Sequence, residues 1–129
     1  MKYMMLVYFE EKAIDNTERE ACYKESIQLT HDMNANGQFL GAAPLHPPST
    51  ATSVRVRDGR RLVTDGPFAE TREYLGGYFL VEARNLDEAI GIAARIPGAK
   101  FGTIEVRPVI ELSGMPAEQA TAEPAAVER

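Results

Sequence analysis

Two runs of largely unbroken apolar residues, Tyr3-Met4-Met5-Leu6-Val7-Tyr8-Phe9 and Gly77-Tyr78-Phe79-Leu80-Val81-Glu82-Ala83, constrain this fold more than any other feature of the chain. A strand with one wet face alternates apolar and polar side chains. A run without alternation belongs at the centre of a sheet, or is shared with a second chain. Each run is followed by the marks of a helix. After the first, Thr17 and Glu20 have capping-box spacing, Cys22, Ser26, Leu29 and Met33 fall on one moderately apolar stripe, and Gly37 supplies a helix stop. After the second, Asn85 and Glu88 cap a helix whose Leu86, Ala89, Ile90 and Ala93 should face the sheet until Pro97-Gly98 ends it.

Two further strands carry proline, which cannot donate to a ladder and so marks a sheet edge: Phe39 to Leu45 with Pro44, and Thr103 to Ile110 with Pro108. Between them Ser53 to Thr64 reads as a hairpin on an Asp58-Gly59 turn. That turn sets Arg57 against Arg60, Val56 against Arg61, Arg55 against Leu62 and Val54 against Val63. The valines then lie on one face, with Arg55, Arg57 and Arg60 on the other. The order strand, helix, strand, inserted hairpin, strand, helix, strand is an α+β, ferredoxin-like split β-α-β sandwich. Its sheet has helices on one face only, so a second subunit is expected over the other.

The 129 residues suffice for one core without disulfides or a structural metal. The domain is expected over residues 1–112, and residues 113–129, rich in Ala, Glu, Pro and Gln, read as a flexible C-terminal tail. A net charge of -5 argues against general nucleic-acid binding. No apolar stretch is long enough to span a bilayer, and the lone Cys22 fits a reducing cytoplasm. Two histidines and one cysteine without paired spacing make no zinc site, and no cofactor is expected.

One loop is unusually dense in chemistry. Asp65-Gly66-Pro67-Phe68 runs into Ala69-Glu70-Thr71-Arg72-Glu73 and then Gly76-Gly77. With Pro47-Pro48-Ser49-Thr50-Ala51-Thr52 upstream and Glu105-Val106-Arg107-Pro108 downstream, this resembles the DGPF group of the YCII-related proteins. The resemblance implies a ferredoxin-like fold and a homodimer of the dimeric α+β barrel type, in a bacterial setting, with no reaction generally assigned. Some relatives resemble enzymes built on a histidine and aspartate pair, the histidine lying early in the first helix. Here Ala21-Cys22-Tyr23-Lys24-Glu25 holds no histidine, so only Asp65 carries over.

Asp65, Glu70 and Arg72 are the candidate catalytic residues. A desolvated carboxylate can act as general acid or base, and an arginine can anchor an anion. His46, Ser49, Thr50 and Tyr78 are candidate ligand contacts: His46 is fixed between a strand and two prolines, and the hydroxyls can donate to a small molecule. The alternative for Asp65 to Phe68 is a stiff turn, Asp65 accepting backbone N–H bonds and Phe68 plugging the core. Two functions follow. One is a small-molecule enzyme for proton transfer, elimination or isomerisation on a small polar or aromatic acid. The other is a non-catalytic ligand-sensing or protein-interaction module linked to sigma-factor-type regulation, to which DGPF relatives are similar.

Overall fold

The computed structural model describes residues 1–116; most of the expected tail lies outside the described residues. Strands β1 (Lys2–Phe9), β2 (Phe39–Pro44), β5 (Tyr74–Glu82) and β6 (Thr103–Pro108) form an antiparallel sheet in the order β2-β5-β1-β6. The apolar runs are central and both proline-bearing strands are outermost, as the patterning requires. Helices α1 (Asn16–Ala35) and α2 (Leu86–Arg95) complete the split β-α-β unit. Strands β3 (Thr52–Arg57) and β4 (Arg60–Asp65), which fall between β2 and β5 in chain order, make a separate two-stranded sheet. No described helix is long and apolar enough to cross a membrane.

Alternation splits each central strand between two faces. Tyr3, Met5 and Val7 of β1 and Phe79 and Val81 of β5 are buried with Leu29 and Met33 of α1 and Ala89, Ile92 and Ala93 of α2. Fully buried side chains such as Met5, Met33, Val81 and Ile96 contribute about 1.5–3 kcal/mol each. Exposed ion pairs such as Arg95–Asp32 at 3.1 Å contribute about 0–1 kcal/mol, so packing decides the fold. On the opposite face Met4, Leu6, Tyr8, Tyr78 and Leu80 are half-buried, and no described helix or strand covers them.

Helix α1 starts two residues before the Thr17 position expected. Asp15 accepts from the Glu18 backbone N–H at 2.8 Å and Glu18 accepts from the Asp15 N–H at 2.8 Å. Aspartate is a stronger N-cap than threonine, and it takes the role. The helix ends as Gly37 dictates. With φ at 73°, the Gly37 N–H donates to the Asn34 carbonyl and the Gln38 N–H to the Met33 carbonyl, a Schellman arrangement. Helix α2 is capped by Asn85 but turned from the expected phase: Leu86 and Ile90 are exposed, and Ile92 is buried with Ala89 and Ala93. The i, i+3, i+4 set beginning at Ala89 continues to Ile96, which leaves Ile90 on the outer side.

Candidate binding and active site

The stripe on α1 decides where the core closes and where it opens. Leu29 and Met33 reach the sheet and are buried. One and two turns before Leu29 the positions are Ser26 and Cys22, too short to fill the space, and Thr30 beside Leu29 lines the same hollow. Below them the sheet offers Ala42, Gly76 and Gly77. Small side chains on both walls leave a cavity of about 790 Å³ between the first half of α1, the adjoining ends of β1, β2 and β5, and the turn at Pro97–Lys100. The volume suits a drug-sized molecule.

Its walls are mainly apolar and aromatic, including Phe9, Tyr23, Phe39, Phe79 and Phe101. Phe9 and Tyr74 meet edge to face, ring centroids 5.2 Å apart. The ionisable groups are few: Glu11, Arg19, Cys22, Tyr23, His46 and Tyr74. The Arg19 guanidinium and the His46 ring make no side-chain hydrogen bond or ion pair among the described residues, although Arg19 is half-buried. Burial pushes the Cys22 thiol up, with Glu25 and Glu18 adding to it, so at neutral pH it remains a thiol and a poor nucleophile. Burial, followed by the nearby Glu11 charge, also pushes the Tyr74 phenol up, which keeps its O–H as a donor.

Of the ligand contacts expected from sequence, His46 lines this cavity; Tyr78 borders it, but the register puts its side chain on the opposite face of the sheet, beside Leu6. Ser49 and Thr50 do not; both are exposed, and the Thr50 hydroxyl donates to the Pro47 carbonyl at 2.7 Å. Asp65, Glu70 and Arg72 do not converge on it within one chain. The β3–β4 hairpin forms its own sheet and carries Asp65 into solvent, where its carboxylate accepts no hydrogen bond among the described residues. Glu70 is exposed, and Arg72 pairs with Glu10 at 3.1 Å. Nor does Phe68 plug the core: it is 83% exposed. The turn is tied to the start of the hairpin at Gly66. Gly66, at φ 98°, donates its N–H to the Ala51 carbonyl at 2.7 Å and accepts from the Ser53 hydroxyl at 2.8 Å. Arg19, Tyr74 and Glu11 were not singled out from sequence; the available signal was the set of short residues on α1 facing a double glycine. No group of three or more metal-ligating side chains gathers among the described residues.

The family model of the YCII-related domain matches residues 1–113. The chain belongs to the YCII-related family. A curated relative, the uncharacterized protein R00369 of Rhizobium meliloti (strain 1021), is 33% identical over 118 residues, which cover 84% of this chain and 92% of that protein. Among solved structures, the fold is similar to 5-chloro-2-hydroxyhydroquinone dehydrochlorinase (TftG) from Burkholderia phenoliruptrix AC1100, in complex with 2,5-dihydroxybenzoquinone. The TM-score is 0.52 at 13% identity, covering 85% of this chain and 94% of that one. At this identity the likeness is one of fold. This YCII-related chain thus combines an α+β architecture with a mostly apolar hollow beside its first helix.

Proposed function

We propose that this YCII-related protein is a small-molecule enzyme working in the cavity under α1, carrying out proton transfer, elimination or isomerisation on an aromatic acid. The observation that carries the reading is the half-buried Arg19 among aromatic walls, with no ion pair or side-chain hydrogen bond among the described residues. A guanidinium taken partly out of water is costly unless an anion meets it, and a carboxylate is its natural bidentate partner. The rings supply flat apolar contact for the rest of the molecule. His46 is the candidate acid or base, since histidine ordinarily changes protonation near neutral pH. The Tyr74 O–H is placed to donate to charge that develops on the substrate. The solved complex of the dehydrochlorinase with 2,5-dihydroxybenzoquinone supports a ring-shaped ligand for this fold. The Asp65, Glu70 and Arg72 loop enters as an outer element, able to reach a site only in an assembly of more than one copy. That assembly is a homodimer formed over the uncovered sheet face, in a cytoplasmic bacterial protein.

Thermal shift with 2-naphthoate and its neutral amide tests the binding step. The carboxylate should raise Tm and the amide should not. In Arg19→Gln the affinity for the carboxylate should fall about ten- to a hundredfold, the loss expected for one charge-assisted hydrogen bond. Hydrogen–deuterium exchange at the carbon beside the carbonyl of phenylpyruvate, followed by NMR, tests catalysis. It should exceed the buffer rate and disappear in His46→Gln while binding persists. The exposed Phe68 favours a second reading, the non-catalytic sensing or interaction module. Binding without any accelerated exchange selects it.

A further inference from the structure

The cavity under α1 is not uniform along its length, and the placement of its charges narrows what it takes. We infer that it receives a large aromatic α-amino acid as the zwitterion, with Arg19 meeting the carboxylate and Glu11 the α-ammonium. Arg19 keeps the role proposed above, on which this assignment rests; the added element is Glu11, a contact that a simple aromatic acid would leave unused.

The charged groups gather at one end. Phe9 pairs with Tyr74, and the Leu45 N–H donates to the Gly76 carbonyl at 2.9 Å, so the ends of β1 and β2 and the start of β5 lie together. The short turn Glu11–Ala13 leaves β1 at that end and leads into α1, where Asn16 and Arg19, three residues apart, share the face that continues to Tyr23 and Ser26. Towards the other end of the sheet the register sets Phe39 against Val81, and the walls there are apolar. A ligand with a charged head and a flat apolar body is thereby oriented, its head toward Glu11 and Arg19.

The two charges are opposite in sign and do not neutralise each other. Glu10 is taken by Arg72 at 3.1 Å, and Asp15 and Glu18 are engaged in the capping box of α1. Glu11 and Arg19 both line the cavity, yet their side chains make no hydrogen bond or ion pair, with each other or elsewhere, among the described residues. Both nonetheless act on one phenol: burial first, and then the Glu11 charge, push the Tyr74 pKa up, while Arg19 pulls against them. An anion and a cation that share a neighbour without pairing offer complementary places to a group carrying both signs on one carbon, and the head of an α-amino acid is such a group. The remaining volume of the 790 Å³ hollow, with its aromatic walls, suits a two-ring side chain such as indole.

Isothermal titration calorimetry of the full chain with L-tryptophan, indole-3-propionate and indole-3-lactate tests the assignment. The three share a ring and a carboxylate and differ in carrying an ammonium, a hydrogen or a hydroxyl on the α carbon. L-Tryptophan should bind about tenfold more tightly than either acid, the gain expected for one charge-assisted contact. In Glu11→Gln, with circular dichroism to confirm folding, that advantage should shrink to about threefold or less, while Glu11→Asp should keep part of it. Equal binding of the three, or a preference for L-tryptophan that survives Glu11→Gln, overturns the assignment and leaves the aromatic-acid reading standing. No binding of any of them up to about 1 mM, or binding indifferent to Arg19→Gln, overturns that reading and this assignment together.

Discussion

Gly77 shows how little room one residue can have. A Cβ added there would lie 2.9 Å from the Ala43 carbonyl oxygen and 3.2 Å from the Pro44 Cα, backbone atoms of the neighbouring strand that cannot swing aside. Gly77→Ala should therefore destabilise by about 1–3 kcal/mol in urea unfolding, the range for overpacked sites. Gly91, in the exposed part of α2, has nothing within 4 Å of the same added atom. Gly91→Ala should stabilise by about 0.5–1 kcal/mol, through helix propensity and a less floppy unfolded chain. Opposite signs for two identical substitutions separate backbone crowding from backbone freedom, and matching signs would contradict the packing described. Cys22 is testable at the same scale. With its thiol pushed up by burial, the native chain should react with iodoacetamide at neutral pH more slowly than the urea-unfolded chain does. Equal rates would mean that the thiol is not desolvated.

Among the elements, α2 shows electrostatics built into a cap. The Glu88 carboxylate accepts from the Arg84 backbone N–H at 2.7 Å and from the Arg84 Nε at 3.0 Å. These bonds, the backbone one first, hold its pKa below the ordinary glutamate value. The charged form is thus favoured by folding. Its stabilisation is complete above the ordinary value and fades as pH falls through the lowered native one. Melting curves should show Glu88→Gln less stable than the natural chain at neutral pH, with the gap closing in acid; a gap constant across pH would rule out the linkage. The elements were largely legible because each rests on local chemistry. Asp58-Gly59 fixes the hairpin: both residues have positive φ, at 54° and 76°, and all four expected pairings hold. The start of α1 and the phase of α2 were misjudged for the same kind of reason. Neighbouring candidates such as Asp15 and Thr17, or Ile90 and Ile92, are nearly equivalent in sequence, and packing chooses between them.

Over the whole molecule, fold and site differ in legibility. Sheet order follows from hydrophobicity and proline, both written along the chain. A cavity is an absence, created where Cys22 and Ser26 come to lie over Gly76 and Gly77, fifty residues away in sequence, and no local run announces it. The Asp65 loop drew attention because its chemistry is contiguous, whereas Arg19, His46 and Tyr74 are brought together by topology alone. The same topology leaves Pro44 and Pro108 on the two outer strands, opposite Gly77 and Tyr3. Each deprives its margin of an amide donor, so a stray strand from another molecule meets an interrupted template on either side. Lateral stacking into fibres, which has no natural end point, is thereby discouraged, while contact through faces stops when the pair is complete. Two prolines thus steer a sticky sheet toward a finite particle.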